Sequence, residues 1–292
     1  MDCEGDGLVV ERSFKQELTG VFGFPVAENP TQAMIEPAYR ALGLDWRYLT
    51  VEVLPESLRD AVRGARAMGW KGFNCTIPHK VAVIDFLDKL SPAAEAIGAV
   101  NCVAIQNGTL IGDNTDGKGF VESLRAVRTI EGARATILGS GGAARAIAVE
   151  LALAGASHVS IVGRTFSKAE DLADAVRAKT HADAAAVPWK GAFRIADGTD
   201  ILVQATSIGL FPDIDAEVPL DMSTLDPRTI VCDVIPNPPR TRLLAFAAEK
   251  GCETLDGLGM LVNQGVIGVR LWTGREPDQG VMRRALEEIF FS

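Results

Sequence analysis

Short apolar runs alternate with amphipathic segments along the first third of the chain. Residues 19–26, 46–53 and 71–77 are apolar runs of strand length, while residues 31–44 and 57–69 repeat their apolar positions at helical spacing. This order of strand, helix, strand, helix and strand predicts a parallel sheet with helices on its faces. Further on, the pattern predicts a helix at 79–90 and a hairpin at 99–114 that turns at Asn107-Gly108.

A second alternation of the same kind begins near Gly117. A helix is predicted at about 118–128, and residues 135–165 have the pattern of strand, glycine turn, helix and strand. Further strands are predicted at 200–207 and 229–235, and helices at 243–251 and after Gly257. The fold class is therefore α/β, with two units. The start of the chain is acidic and lacks the apolar core of a secretory signal, so residues 1–17 are expected to form a flexible extension.

Composition narrows the range of partners. The net charge is −9 and no long run of Lys or Arg occurs, so nucleic acid is not an expected partner. No apolar run approaches the roughly 20 residues of a membrane span. The five cysteines are odd in number and widely spaced, which indicates reduced thiols in a cytoplasmic protein. The three histidines lack metal-ligand spacing, so no metal site is expected. The expected oligomeric state is a monomer or a homodimer.

A glycine turn follows the strand at 135–138 and opens a helix, which is the setting of a dinucleotide fingerprint. The predicted cofactor-binding residues of this turn are Gly139, Ser140, Gly141, Gly142 and Ala143. The alternative interpretation is a glycine-rich turn that binds no ligand.

The next strand ends at Gly163. It is followed by Arg164, Thr165 and Lys168, where a site for NAD usually carries an acidic residue. Two cations and a hydroxyl suit a 2′-phosphate, so NADP is the predicted cofactor and NAD the alternative. Solvated charges at a helix start are the structural alternative for Arg164 and Lys168.

A row of polar residues ends the strand GFNCTIPHK (72–80), and together with six further motifs it resembles the shikimate dehydrogenases. The other six are GAVNCV (98–103), GDNTDG (112–117), GSGGAARA (139–146), GRTFSK (163–168), QATS (204–207) and DGLGMLVNQG (256–265). The resemblance covers almost the whole chain after the extension. It implies a substrate-binding and catalytic domain at 18–116 plus 257–292, and a Rossmann-type NADP-binding domain at 117–256. The active site would lie in the cleft between them.

The resemblance also implies roles for single residues. Lys80 and Asp116 match the catalytic pair of the family. Substrate-pocket positions are matched by Asn74, Thr76, Asn101 and Gln264, and cofactor positions by Thr206, Val234 and Gly257. In the reductive direction, Lys80 as an ammonium group can donate the proton, while Asp116 orients it and binds the reacting hydroxyl. A solvated ion pair is the structural alternative. The adjacent His79 is expected to be structural.

The sequence departs from the family at the substrate end. Members usually carry Ser-x-Ser-Pro after the first strand, and both serines bind the substrate carboxylate. Here Asn29 and Thr31 stand at the serine positions and Gln32 at the proline. Amide and hydroxyl groups still donate hydrogen bonds, and a helix cap is the structural alternative for both residues. Pro236 replaces a tyrosine that contacts substrate in the family.

The sequence thus predicts an NADP-dependent oxidoreductase that interconverts shikimate and 3-dehydroshikimate through Lys80 and Asp116. The alternative is an NAD(P)-dependent quinate, quinate/shikimate or amino-shikimate-like dehydrogenase with an altered carboxylate pocket. A nucleotide-binding protein without turnover is the alternative from another class, but Lys80, Asp116 and Gln264 argue against it. In each enzymatic case the partner is a small cyclic hydroxy acid.

Overall fold

The computed structural model describes residues 14–291, so most of the predicted extension lies outside the described residues. The first half of the chain supplies six strands: β1 (Glu17–Gly23), β2 (Trp46–Glu52), β3 (Gly72–Cys75), β4 (Lys89–Leu90), β5 (Cys102–Gln106) and β6 (Thr109–Asp113). They form one sheet in the order β2-β1-β3-β5-β6-β4. β1 pairs in parallel with both β2 and β3, which confirms the parallel sheet predicted from the alternating pattern.

Five helices accompany these strands: α1 (Thr31–Ala41), α2 (Leu58–Ala67), α3 (His79–Ala82), α4 (Pro92–Ile97) and α5 (Asp116–Arg125). The hairpin of β5 and β6 turns at Asn107 and Gly108, whose φ angles are 50° and 78°, as a two-residue turn of type I′ requires. α5 begins two residues earlier than predicted and spans the predicted domain boundary. Asp116 is therefore its first residue.

The single helix predicted at 79–90 is wrong beyond its first turn. α3 ends at Ala82, a 3₁₀ turn covers Val83–Phe86, and β4 follows. The reason is tertiary pairing: Asp88 exchanges hydrogen bonds with Leu110, since its N–H donates to the Leu110 carbonyl and its carboxylate accepts the Leu110 N–H. Pairing with the neighbouring sheet strand thus outweighs the helical preference of the segment.

The second half supplies the strands β7 (Arg134–Leu138), β8 (His158–Gly163), β9 (Asp183–Pro188), β10 (Phe193–Arg194), β11 (Ile201–Gln204), β12 (Leu220–Asp221), β13 (Ile230–Asp233) and β14 (Thr254–Leu255). Six of them form a wholly parallel sheet in the order β14-β13-β11-β7-β8-β9, while β10 pairs with β12. The helices of this half are α6 (Gly142–Leu153), α7 (Phe166–Lys179) and α8 (Arg242–Glu249). This is the Rossmann-type arrangement predicted from the glycine turn.

The last two helices, α9 (Gly257–Thr273) and α10 (Gln279–Phe290), return to the first sheet. Leu258, Val266 and Met282 share one buried cluster with Met34 and Ile35 of α1. The indole of Trp272 also donates a 3.0 Å hydrogen bond to the carbonyl of Val103 in β5. The end of the chain therefore helps to build the half that carries Lys80. Among residues 14–291, no helix combines the length and the apolar character that crossing a bilayer requires.

Candidate active site

Lys80 and Asp116 meet in space although 36 residues separate them in sequence. Lys80 lies in α3, just after β3, and Asp116 opens α5, just after β6. The Lys80 Nζ donates to Asp116 Oδ2 at 2.5 Å, and the side chains are 29% and 13% exposed. The pair is thus partly buried but still open to solvent. An ammonium group held in this way can deliver a proton to a bound oxygen.

Asn101 fixes the other oxygen of the carboxylate. Its Nδ2 donates to Asp116 Oδ1 at 2.8 Å, and its Oδ1 accepts the backbone N–H of Thr115 at 2.7 Å. Asn101 precedes β5 and is 3% exposed. Because both ends of its amide are engaged, Asn101 holds the Asp116 carboxylate in one orientation. The Lys80 ammonium then has a fixed partner.

Gln264 joins the network from α9. Its Oε1 lies 3.5 Å from Thr115 Oγ1, and its Nε2 donates to the Leu261 carbonyl at 3.1 Å. α5 and α9 can approach this closely because Gly119 carries no side chain. A Cβ at position 119 would lie 2.7 Å from the backbone nitrogen of Gln264. Gly119, two residues after the GDNTDG motif, thus lets Gln264 lie beside Thr115.

The substrate-end residues are tied to the same network. The Asn29 Oδ1 accepts the backbone N–H of Thr31 at 3.0 Å, while Asn74 donates to the Asn101 carbonyl at 2.9 Å. Asn74 and Thr31 are both buried, with 7% and 4% of their surface exposed. Thr76 follows β3, and its backbone N–H pairs with the Phe22 carbonyl of β1. The N-cap of α1 is Pro30 and carries no side-chain cap, so the Asn29 amide oxygen instead closes a local turn that leads into the helix.

The structure adds Tyr48, which the sequence analysis missed. The Tyr48 hydroxyl donates to Asn74 Oδ1 at 2.7 Å, and its side chain is fully buried. No motif points to this residue, because it lies in an ordinary strand and reaches the site only through the pairing of β2 with β1. His79 next to Lys80 is structural, as expected: it is 1% exposed and its Nε2 contacts the Val53 carbonyl at 2.7 Å.

Seven of the predicted cofactor residues line one pocket of about 340 Å³ at the carboxyl edge of the second sheet. They are Gly139, Ser140, Gly141, Arg164, Thr165, Lys168 and Thr206. Gly163 ends β8 beside them, since a Cβ there would lie 3.3 Å from Ser140 Oγ. The pocket also includes Trp189, whose backbone N–H donates to the Gly163 carbonyl at 3.1 Å. Trp189 follows β9, a strand that the sequence pattern did not reveal.

The glycine turn fits a pyrophosphate. Gly139 has a φ of 113°, which side chains rarely adopt, and a Cβ at Gly141 or Gly142 would meet open space. No side chain caps the start of α6, so its first N–H groups are free of side-chain partners. Free N–H groups at a helix N-terminus bind phosphate. Ala143 continues this first turn behind Gly142. The residues present therefore fit a dinucleotide, which would lie along this turn.

The remaining predicted cofactor residues lie at another point of the same sheet. Val234 follows β13 and Gly257 opens α9, and a Cβ at Gly257 would lie 2.7 Å from the carbonyl carbon of Val234. Neither lines the pocket at the glycine turn. Beside them, burial raises the pKa of Asp233 to about 6, although its carboxylate accepts hydrogen bonds from Ile235 and Thr241.

Comparison with known proteins supports the assignment of the motifs. Three family descriptions match the chain: shikimate dehydrogenase substrate binding domain at 21–103, shikimate / quinate 5-dehydrogenase at 122–211, and shikimate 5'-dehydrogenase C-terminal domain at 257–287. The chain is 41% identical to shikimate dehydrogenase (NADP(+)) of Desulforamulus reducens, over 94% of this chain and 96% of the relative.

Two solved structures extend the comparison. A ligand-free 5-ketofructose reductase of Gluconobacter sp. strain CHM43 is 57% identical, with a TM-score of 0.92, over 95% of this chain and 100% of the other. A quinate dehydrogenase from Corynebacterium glutamicum in complex with NAD is 31% identical, with a TM-score of 0.86, over 94% and 99%. The matched residues include the segments that carry Lys80, Asn101 and the glycine turn. The chain therefore belongs to the shikimate dehydrogenase family, whose members are oxidoreductases acting on a CH–OH group.

Proposed function

We propose that the protein is an NADPH-dependent reductase of a neutral polyhydroxy ketone, with 5-ketofructose as the first candidate. The observation that carries this proposal is the 57% identity to a 5-ketofructose reductase over essentially the full length of both chains. The shikimate dehydrogenase of Desulforamulus reducens is 41% identical. The departures at Asn29 and Thr31 support the same proposal, because they fall where the family binds the carboxylate that a neutral sugar lacks. Pro236 falls where the family carries a tyrosine that contacts substrate, so the substrate end differs there as well.

The cofactor would supply the hydride, and the described side chains would manage the proton. In the reductive direction, the Lys80 ammonium donates a proton to the carbonyl oxygen as that oxygen becomes a hydroxyl. Asp116 keeps Lys80 directed at the reacting oxygen, and Asn101 keeps Asp116 in place. In the oxidative direction, neutral Lys80 takes the proton back. No metal is needed for this step, because the ammonium group itself supplies the positive charge at the oxygen.

The residues after β8 favour NADP over NAD. Arg164, Thr165 and Lys168 line the pocket beside the glycine turn. Each can donate hydrogen bonds to a phosphate, and Arg can do so through two parallel N–H groups. None of these three residues carries the carboxylate that would accept hydrogen bonds from the ribose hydroxyls of NAD. The name of the Desulforamulus reducens relative, which includes NADP(+), agrees with this choice.

We further propose that the chain divides as the sequence predicted, with 18–116 plus 257–292 around the first sheet and 117–256 around the second. Two observations support this division. The side chains that would contact substrate belong to the first group, and the pocket at the glycine turn belongs to the second. α9 packs against both α1 and α5, so it connects the two sets of residues.

A shikimate or quinate dehydrogenase is the second candidate, and curated relatives favour it. Several shikimate dehydrogenases (NADP(+)) match at about 40% identity over nine-tenths of the chain. In this case Asn29 and Thr31 would bind the ring carboxylate through their amide and hydroxyl groups. The quinate dehydrogenase structure, bound to NAD, supports the further alternative of quinate with NAD.

A direct assay separates the candidates. Purified protein is mixed with NADPH and either 5-ketofructose or 3-dehydroshikimate, and nicotinamide absorbance is followed; shikimate and quinate are tested with NADP and NAD. We expect kcat/KM with 5-ketofructose to exceed that with 3-dehydroshikimate by at least tenfold. The Lys80→Met variant is the control for background reduction. Faster turnover of 3-dehydroshikimate or oxidation of quinate would replace the first candidate with the second.

A further inference from the structure

One lysine from the half of the molecule built on the second sheet reaches into the half that carries Lys80. Lys179 is the last residue of α7, and its Nζ donates to the carbonyls of Glu95 at 3.1 Å and Ala96 at 2.8 Å. Both carbonyls belong to the last turn of α4, where the helix has no N–H groups of its own to pair with them. A lysine ammonium group suits this place, because the C-terminal end of a helix carries partial negative charge.

α4 also packs against the second half through apolar side chains. Ala93 and Ile97 of α4 share one buried cluster with Ile147 and Leu151 of α6, and Ile97 is fully buried. α6 is the helix that begins at the glycine turn. The strands before and after α4 belong to the first sheet, but α4 itself is held by α6 and by Lys179. α4 is therefore a point of attachment between the two halves.

The residues that follow α4 carry this attachment to the catalytic pair. The backbone N–H of Val100 donates to the carbonyl of Lys80 at 2.7 Å. The next residue, Asn101, donates from its Nδ2 to Asp116 Oδ1 at 2.8 Å. A displacement of the last turn of α4 would thus move the backbone partner of Lys80 and the amide that orients Asp116.

The opposite end of α7 lies at the cofactor pocket. Thr165 precedes α7 and Lys168 lies in its first turn, and both line that pocket. α7 has 14 residues, so its two ends are about 20 Å apart. Lys179 does not line the pocket. Its bonds to α4 therefore concern the arrangement of the two halves and not direct contact with a nucleotide.

We infer that Lys179 is a positioning residue for the reaction, because it holds α4 against the second half and thereby fixes Val100 and Asn101 behind the catalytic pair. It acts through α4 and touches neither the cofactor nor the reacting oxygen. The inference rests on the proposed function in one respect, namely that Lys80 and Asp116 carry the reaction. Loss of two hydrogen bonds from an exposed side chain should loosen this arrangement without unfolding the protein. The effect should therefore fall on kcat rather than on cofactor binding.

Lys179→Met tests the inference, because methionine keeps an apolar stem of similar length and donates no hydrogen bond. We expect kcat to fall about fivefold, while the Kd of NADPH stays within twofold of wild type. Lys179→Arg should keep at least half of kcat, since a guanidinium group has N–H donors for both carbonyls. Lys250→Met is the matched control and should leave kcat unchanged. Lys250 is also exposed at the C-terminal end of a helix of the second half, but its ammonium group lies over the ring of Phe246.

Amide hydrogen exchange gives a second measurement that needs no substrate. The Val100 N–H should exchange at least threefold faster in Lys179→Met than in wild type, and at the wild-type rate in Lys179→Arg and Lys250→Met.

The inference is overturned if either kcat or the exchange of Val100 stays at its wild-type value in Lys179→Met. It is also overturned if Lys179→Arg loses as much kcat as Lys179→Met, or if NADPH binding weakens as much as kcat falls. Each variant is compared with wild type on the substrate that wild type reduces fastest. A wild type that prefers 3-dehydroshikimate therefore refutes the proposed function, whereas an unchanged Lys179→Met refutes the role of Lys179.

Discussion

Two lysine–aspartate pairs lie on either side of the turn between β6 and α5, and they differ in their neighbours rather than in their own geometry. Lys80 meets Asp116 at 2.5 Å and Lys118 meets Asp113 at 2.7 Å. The exposed fractions are also alike, at 29% and 13% for the first pair and 32% and 13% for the second. Distance and burial alone would therefore assign both pairs the same role.

The two pairs differ in the other hydrogen bonds that their aspartates accept. Asp113 accepts from Ser91, the N-cap of α4, and from the backbone N–H of Asn114, so this pair ties α4 to the end of β6. Asp116 instead accepts from Asn101, which leads on to the substrate-end residues. The comparison teaches that the proposed catalytic pair differs from its neighbour in the groups to which it is hydrogen-bonded, and that the second pair is a matched control for the first.

The largest expected effect is on turnover. Lys80→Met should lower kcat by about a thousandfold, within the range that general acid–base groups contribute. Lys118→Met, at the same depth and with the same change of side chain, should leave kcat within about threefold. Steady-state assays with NADPH, together with a nucleotide-binding measurement on both variants, check this. Equal losses of kcat in the two variants would contradict the proposed difference between the pairs.

Asp233 differs from the aspartates of the two pairs, because its buried carboxylate has a raised pKa and so makes stability depend on pH. It is 2% exposed, and within residues 14–291 no Lys or Arg lies within salt-bridge distance. Because burial raises its pKa in the folded state to about 6, the folded protein holds this proton more tightly than the unfolded chain. Its contribution to stability is therefore full below about pH 4 and is lost as the pH rises to about 6, by up to about 3 kcal/mol.

Urea denaturation of wild type and Asp233→Asn between pH 4 and pH 7 measures this contribution. The variant carries no titrating group at position 233. The free energy of unfolding of the wild type should thus fall relative to that of Asp233→Asn as the pH rises. Parallel curves for the two proteins would mean that the carboxylate is solvated after all.

The smallest expected effects concern the neighbours of the two pairs. Asn101→Ala frees the Asp116 carboxylate, so kcat should fall about tenfold, in line with the loss of one hydrogen bond to a charged group. Ser91→Ala removes the cap of α4 and should cost about 1 kcal/mol of stability while sparing kcat. Assay and thermal melt on both variants provide the check. A drop in kcat for Ser91→Ala would connect Asp113 to the reaction.

The cofactor half was predictable because its signal is local. Gly139 and Gly141 follow a strand directly, and such a turn would bind a dinucleotide through backbone groups, so a few consecutive residues suffice to predict it. Arg164 and Lys168 were found for the same reason, since β8 is adjacent to β7 in the sheet and both strands end at one edge. Trp189 was missed because β9 is a run rich in alanine with no alternation of polar and apolar positions.

The substrate half depends on contacts between distant segments. Tyr48 lies in β2, Asn74 in β3 and Asn101 just before β5, and only the finished sheet brings them into one chain of hydrogen bonds. Resemblance to the family supplied Lys80, Asp116 and Asn101, but it gave no reason to name Tyr48. The helix predicted at 79–90 was wrong for a related reason, since the bonds between Asp88 and Leu110 join segments that are 22 residues apart.

Trp189 would give the protein an intrinsic fluorescence signal for cofactor binding. Of the four tryptophans in the chain, it is the one that lines the pocket at the glycine turn. Indole emission overlaps the absorption of reduced nicotinamide, so energy would pass from this ring to bound NADPH. Binding of NADPH in the pocket would then lower the tryptophan fluorescence of the protein before any substrate is added. Replacing Trp189 with Phe should remove most of that signal, which would let binding be followed separately from chemistry.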